Sequence, residues 1–189
     1  LISAGYRLQP VDGGIFFNRT VMLDAAGQSK ASLPVLRELR SMIEHAGGTA
    51  MITWETLPAP TAQGRVMKAA EAKADLFISV FTGSKAPAAE YYYKSVQGEG
   101  LADAACRSFN ELKAFGRKTC QARPGTEYVL MHTSMPALLL RLPGAMNISA
   151  RDAAASLYGA IGKMLEKACL AYCPSATCRD YVTDLCAPS

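Results

Sequence analysis

The chain has 189 residues, of which 50% are hydrophobic and 19% are charged. That balance suits one folded domain with a sizeable core and excludes wholesale disorder. The net charge of +4 comes without a block of lysines or arginines, so the sequence predicts no nucleic-acid partner. No apolar run approaches the roughly 18 residues that span a bilayer, and we expect no transmembrane segment in this chain.

The first elements alternate between strand and helix. Residues 1–18 contain the turn signal VDGG and are predicted to form an irregular N-terminal segment. The short apolar run RTVMLD, residues 19–24, predicts a strand that ends at an aspartate. A helix with one apolar face follows, with Pro34 in its first turn and a glycine stop, AGG, at residues 46–48. The sequence TAMITWET, residues 49–56, predicts the second strand.

The middle of the chain continues the alternation. Residues 65–73 predict a helix, and the apolar run that starts at Leu76 predicts a third strand that stops abruptly in TGSK. Strands of α/β sheets that end in this way usually place a functional side chain at the following loop, and here that residue is Phe81. Residues 88–95, AAEYYYKS, predict a fourth strand, and residues 100–112 predict a helix.

Two more strands and a long helix complete the pattern. The strands are predicted at EYVLMHT, residues 127–133, and ALLLRLP, residues 137–143. The helix begins at the N-cap Ser149, with Asp152 three residues later as a variant of the capping box. Alternation of short buried strands with helices predicts a three-layer α/β domain.

The cysteines are concentrated near the end of the chain. We therefore assign residues 19–170 to the α/β domain and residues 171–189 to a cysteine-rich tail. The six cysteines are Cys106, Cys120, Cys169, Cys173, Cys178 and Cys186. An even number at this density favours disulfides in an oxidising compartment, and hence an exported protein of the periplasm or cell surface. Pairing of Cys106 with Cys120 plus two bridges in the tail is economical, although the sequence does not fix the connectivity. A four-thiolate zinc knot in the tail is disfavoured because the paired C-x₂-C spacing is missing.

Five segments of the chain carry a resemblance to a known family. They read VMLDAAG, LRELRSMIEHAGGTAMITWET, GRVMKAAEAKADLFISVFTGSKA, AAEYYYKS with LADAAC, and EYVLMHTSMPALLLRLPGAMN. In order and spacing these segments resemble the zinc-dependent N-acetylmuramoyl-L-alanine amidases of bacterial cell walls, over residues 19–170. The resemblance implies a three-layer α/β/α sandwich around a mixed, mostly parallel sheet. It also implies an enzyme that cuts the bond between the lactyl group of the glycan and the stem peptide.

Four positions that carry this activity depart from the family pattern. The family binds zinc through two histidines and a glutamate, and a second glutamate acts as the general base. The first histidine corresponds to Gly27 or falls in a loop that this sequence has shortened, and the second histidine corresponds to Phe81. The ligand glutamate corresponds to Gln28, and the catalytic glutamate corresponds to Arg141. None of these side chains supplies the imidazole or carboxylate that zinc requires, so we expect a degenerate member that holds no metal or other cofactor.

Other residues are candidates for a ligand cleft at the same place. The aspartate that corresponds to Asp24 is a structural residue of the family or lies behind its ligands. Arg65, Lys85 and Arg141 are expected to make the cleft electropositive, which favours a carboxylate-bearing ligand such as a stem peptide. Arg141 is equally compatible with a salt bridge to a local acid. His132 is expected near the cleft, and we interpret a lone histidine there as structural rather than as a ligand.

Three functional hypotheses follow from these residues. The first is a catalytically inactive amidase-like domain that acts as a binding or regulatory module for peptidoglycan or a cell-envelope protein. The second is an active zinc-dependent amidase whose ligands lie elsewhere in the sequence, and the third is a structural scaffold domain of a larger envelope assembly. A nucleophilic dyad of His132 with Ser79, Ser84 or Cys106 is disfavoured, because no Gly-x-Ser-x-Gly elbow is present.

Overall fold

The fold is that of a computed structural model in which residues 14–27 and 30–172 are described, with side chains as far as residue 167. Gln28 therefore lies outside the described residues. Of the six cysteines, the same holds for Cys173, Cys178 and Cys186, and for the side chain of Cys169. The disulfides proposed for the tail stay predictions.

A six-stranded sheet forms the centre of the domain. Its strands are β1 (Thr20–Ala25), β2 (Thr49–Ile52), β3 (Leu76–Ser84), β4 (Ala88–Tyr91), β5 (Gln121–Pro124) and β6 (Ala137–Pro143). Their order across the sheet is β2-β1-β3-β6-β4-β5, and only the β4–β6 pair is antiparallel. The expected mixed, mostly parallel sheet is confirmed.

Helices cover both faces of this sheet. They are α1 (Leu33–His45), α2 (Ala62–Glu71), α3 (Val96–Glu111), α4 (Tyr128–His132) and α5 (Ala150–Tyr172), and a 3₁₀ turn at Lys30–Ser32 precedes α1. On one face α1 and α3 pack against α5, and on the other face α2 packs against α4. The three-layer α/β/α sandwich is therefore confirmed. Among the described residues, no helix combines the length and apolar character needed to cross a membrane.

Two local signals at helix ends act as the sequence predicts. Pro34 lies in the first turn of α1. After the end of α1 the chain turns at Gly47, whose φ of +79° is a left-handed conformation that favours glycine. At the start of α5, the amide of Asp152 donates to Oγ of Ser149 at 3.1 Å. The amide of Ser149 donates in return to the Asp152 carboxylate at 3.2 Å. This reciprocal pair is a capping box. Oγ of Ser149 also donates to the Asp152 carboxylate at 2.7 Å, and this bond, followed by the bond from the Ser149 amide, lowers the pKa of Asp152.

Three predicted strands differ from the structure, and the first of them, predicted at 49–56, ends at Ile52. The strand predicted at 127–133 is wrong, because Tyr128–His132 forms the short helix α4, in which Val129 and Leu130 are buried. A run of apolar residues this short does not distinguish a buried strand from one turn of helix. The strand predicted at 88–95 ends at Tyr91, since the amide of Ser95 turns back to the carbonyl of Tyr92 at 2.8 Å.

The edge strand β5 has no counterpart among the predicted strands. Its sequence, QARP, lacks apolar alternation and is mostly exposed, so hydrophobic periodicity does not reveal it. A disulfide between Cys106 of α3 and Cys120, the residue before β5, ties this edge to the body of the domain. The predicted Cys106–Cys120 pairing is confirmed. The side chain of Asn110 also fixes the backbone of Cys120. Its Oδ1 accepts a hydrogen bond from the Cys120 amide at 2.7 Å, and its Nδ2 donates to the Cys120 carbonyl at 3.1 Å.

Candidate functional site

Strand alternation selects the side chains that face α2 and α4. In β1, Val21 and Leu23 face the larger core cluster, so Asp24 points to the opposite face of the sheet. The strands β1, β3 and β6 are neighbours that run parallel, and their carboxyl ends therefore meet at one edge. At this edge Phe81 of β3 lies opposite Arg141 of β6 in the strand register. Candidate residues from three separate parts of the chain are thereby brought together.

Phe81 lies between Gly27 and Arg141. A Cβ atom added to Gly27 would come within 3.8 Å of Cε2 of the Phe81 ring. On the other side, the guanidinium carbon of Arg141 lies 5.9 Å from the centroid of that ring. Three of the four positions that the amidase resemblance assigns to zinc or to catalysis thus surround one point. The fourth, Gln28, is not among the described residues.

A cavity of about 260 Å³ opens beside these residues, which we call the cleft. The residues that line it include Gly27, Arg65, Phe81, Glu127, Tyr128 and Arg141. The cleft combines the carbon faces of two aromatic rings with two guanidinium groups and one carboxylate. It is large enough for a single amino-acid side chain or a short piece of a peptide.

Three residues predicted for the cleft, Asp24, Lys85 and His132, are not among the described residues that line it. Lys85 is exposed in the connection between β3 and β4, where its carbonyl accepts a hydrogen bond from Nζ of Lys118 at 2.8 Å. His132 ends α4, and its ring stacks on Tyr128 with the centroids 3.8 Å apart. Nδ1 of His132 also lies 3.0 Å from the carbonyl oxygen of Tyr128. These contacts agree with the interpretation of His132 as a structural residue.

Asp24 anchors the floor of the cleft. It is fully buried, and its carboxylate accepts hydrogen bonds from Thr53 Oγ1 at 2.7 Å and from Ser79 Oγ at 2.6 Å. Arg65 Nη1 donates to the same carboxylate at 2.6 Å, and the Arg65 side chain is only 11% exposed. The four side chains come from β1, β3, α2 and the residue after β2. Asp24 therefore fixes Arg65 in the cleft and joins these elements beneath it.

Comparison with solved structures finds the same architecture in amidases. The catalytic domain of CwlV, an N-acetylmuramoyl-L-alanine amidase from Bacillus (Paenibacillus) polymyxa var. colistinus, matches with a TM-score of 0.66 and 17% identity, over 78% of this chain and 98% of that one. The amidase AmiC2 of Nostoc punctiforme matches with a TM-score of 0.60 and 20% identity, over 79% and 96%. The CwlD amidase from Clostridioides difficile, solved in complex with the GerS lipoprotein, matches with a TM-score of 0.64 and 16% identity, over 79% and 100%.

This chain has the fold of the N-acetylmuramoyl-L-alanine amidases. No protein-family model and no curated protein matches the sequence. At identities of 20% or less the structural similarity shows the amidase fold alone. What the domain does must be argued from its own site.

On this amidase fold, Arg141 is the centre of an ion-pair network. Its Nε lies 2.9 Å from Oε2 of Glu90, and its Nη2 donates to Oε1 of Glu127 at 2.7 Å. Glu90 is 5% exposed and also accepts two hydrogen bonds from Arg123, at 2.6 and 3.1 Å. Burial alone lowers the pKa of the Arg141 guanidinium, but the hydrogen bonds to Glu127 and Glu90 outweigh burial and raise that pKa above its usual value. The expected electropositive residues Arg65 and Arg141 thus each have an acidic partner.

Sequence reasoning missed the acids of this network. Glu90 lies in the strand AAEY between apolar neighbours, and a lone carboxylate in a buried strand signals a buried cation. Its partner becomes visible only from the β4–β6 register, which pairs Glu90 with Leu139, two residues before Arg141. The sequence does not reveal Glu127 as a partner of Arg141, because the segment that begins at Glu127 predicts a strand. A further contact, between Ser32 Oγ and Thr82 Oγ1 at 3.1 Å, joins the 3₁₀ turn to β3 beside Phe81 and was also not predicted.

Proposed function

We propose that this chain is a catalytically inactive amidase-like domain that binds peptidoglycan or a protein of the cell envelope through the cleft. The observation that carries the proposal is the pairing of Phe81 with Arg141 across β3 and β6. The resemblance expects a zinc-binding histidine and a catalytic glutamate at these two positions. A hydrocarbon ring and a cation stand there, and each is packed against its surroundings.

The donor chemistry of the cleft does not fit a zinc ion. Zinc in proteins takes imidazole nitrogen, thiolate sulfur or carboxylate oxygen. Gly27 has no side chain, the Phe81 ring has no lone pair to donate, and the Arg141 guanidinium is a cation. Among the described residues, no group of three or more His, Cys, Asp or Glu residues could hold a metal ion. These observations support binding without hydrolysis.

The same cleft is suited to bind a peptide-like ligand. Phe81 and Tyr128 offer apolar surface, and the Glu127 side chain, which is 52% exposed, offers a carboxylate. A ligand carboxylate would compete with Glu127 for Arg141, because Arg141 already bridges Glu127 and the buried Glu90. A ligand with an ammonium or amide donor would instead use Glu127 directly. Peptides of the cell wall carry both kinds of group.

Two further observations support the compartment and the kind of partner. The Cys106–Cys120 disulfide fits an exported protein, since such bridges persist in oxidising compartments. The similar CwlD amidase was solved in complex with a lipoprotein, so a domain of this fold can take a protein partner. Both observations support a domain that works in the periplasm or at the cell surface.

A cleft-filling substitution tests the proposal. Ala62 lies at the start of α2 and lines the cleft, whereas Ala70 lies on the same helix, is exposed and does not line it. In a co-sedimentation assay with purified sacculi and with envelope extract, we expect Ala62→Trp to weaken binding about tenfold or more. We expect the matched control Ala70→Trp to bind as the unsubstituted chain does. Neither variant, nor the original chain, should release stem peptides from the sacculi.

Three results would contradict the proposal. Failure of the original chain to bind either preparation would favour a structural scaffold. Equal binding by Ala62→Trp and Ala70→Trp would place the contact outside the cleft. Release of stem peptides by the original chain would identify an active amidase.

A further inference from the structure

A second cavity lies on the opposite side of the sheet from the cleft. It is a groove of about 500 Å³ between α3 and α5. Val96, Ala104 and Met164 form its apolar part, and the Val96 side chain stands out because the residue is 82% exposed. Beside the half-buried Ala104 and the buried Met164, this exposed side chain gives the groove apolar surface for a docked segment to cover.

The charged residues of the groove are mainly basic. Arg107 of α3 and Lys163 and Lys167 of α5 line it, and among the described lining residues Asp103 is the only acid. An occupant that complements the groove therefore carries carboxylates beside apolar side chains.

Residues 173–189 have this composition and begin where α5 ends. Their sequence, CPSATCRDYVTDLCAPS, contains Asp180 and Asp184 next to Tyr181, Val182 and Leu185, and its two acidic side chains outnumber the single basic one, Arg179. Lys167 is only five residues before the end of α5, a distance of about 7.5 Å along a helix. The segment after α5 is long enough to return along the groove, because an extended chain advances by about 3.3 Å per residue.

The cysteines favour this return path. Cys169 belongs to α5, and the tail carries Cys173, Cys178 and Cys186. A disulfide from Cys169 to either of the last two cysteines would hold the tail beside the end of α5.

We propose that residues 173–189 dock in the groove between α3 and α5. Asp180 and Asp184 face Arg107, Lys163 and Lys167, and the apolar residues Tyr181, Val182 and Leu185 cover Val96, Ala104 and Met164. The groove is thereby an intramolecular interface that completes the domain, separate from the cleft on the other face of the sheet.

Amide hydrogen exchange of the full, oxidised chain tests this interface. Lys163→Glu/Lys167→Glu reverses charge in the groove, and we expect exchange of the amides of residues 96–107 to accelerate about tenfold. Lys73→Glu/Lys85→Glu changes the net charge equally at exposed positions that do not line the groove, and should leave this exchange unchanged. Adding Asp180→Lys/Asp184→Lys to the groove variant should restore the original protection.

The tail variant Asp180→Lys/Asp184→Lys, made alone, provides a second test that alters no residue of the groove. It should accelerate exchange in residues 96–107 and leave the central strand β3 unchanged, which separates local release from general unfolding. Unchanged exchange in residues 96–107 for this variant would overturn the proposal. So would failure of the combined charge reversal to restore protection, because another partner would then occupy the groove.

Discussion

Replacement of Asp24 by alanine is expected to lower the free energy of unfolding by about 3–5 kcal/mol. The substitution leaves the Arg65 guanidinium without its carboxylate in a place where the side chain is only 11% exposed. The hydroxyl groups of Thr53 and Ser79 lose their acceptor at the same time. Breaking a buried ion pair from one side costs more than the pair itself contributes, because an uncompensated charge stays buried. Urea denaturation at neutral pH measures the loss as a lower midpoint with an unchanged slope.

Glu55 provides a matched control for Asp24. Its carboxylate is also held by arginines, Arg37 at 3.0 Å and Arg40 at 3.4 Å, but its side chain is 37% exposed. Solvent screens such a pair, so we expect Glu55→Ala to cost only about 0.2–1 kcal/mol. The double variant Asp24→Ala/Arg65→Met should recover part of the loss, because it removes the unpaired charge as well. Equal, small losses for Asp24→Ala and Glu55→Ala would show that the Asp24 cluster does not support the cleft.

Loss of the Cys106–Cys120 bridge is the second large expected effect. The bridge spans a sequence separation of 14 residues, for which the chain-entropy model predicts about 3 kcal/mol. We expect Cys106→Ala/Cys120→Ala to lower the melting temperature by roughly 6–12 °C, at about 2–4 °C per kcal/mol for a domain of this size. Alanine is the appropriate replacement because both cysteines are buried, and a serine hydroxyl would add a polar group there.

The oxidised state of the tail must be kept constant in this comparison. Both proteins are melted without reductant, so that only the bridge between α3 and the start of β5 differs. Asn110 still holds the backbone of Cys120 in the variant, and the fold should therefore persist at room temperature. An unchanged melting temperature would mean that the bridge adds nothing to the folded domain, and would weaken the assignment to an oxidising compartment.

Local signals in the sequence are sufficient for much of the fold. The capping box at Ser149 and Pro34 at the start of α1 involve residues that are neighbours in the chain, so their partners can be found by counting positions. Local signals do not predict α4, because its five residues are too few to show a helical period. The edge strand β5 is not predicted for a different reason. Its pairing with β4 depends on backbone hydrogen bonds and not on apolar side chains.

The site was predictable only in part. The resemblance singled out Phe81 and Arg141, and the parallel register of β3 and β6 explains why they meet. The acids that hold Arg141 were not predictable, because Glu90 reaches it through the antiparallel partner strand and Glu127 through a misassigned segment. Contacts of this kind depend on the order of strands in the sheet, which periodicity does not contain.

Zinc content is the most direct measure of whether the cleft has lost its catalytic function. The oxidised chain, without an affinity tag and without reductant, is dialysed against zinc and then against metal-free buffer, and the metal is counted per chain. Oxidation matters because free thiols of the tail could bind zinc on their own. We expect well under about one zinc per ten chains, because the side chains of Gly27, Phe81 and Arg141 offer the ion no donor. One zinc per chain, together with release of stem peptides from sacculi that a chelator abolishes, would contradict the account.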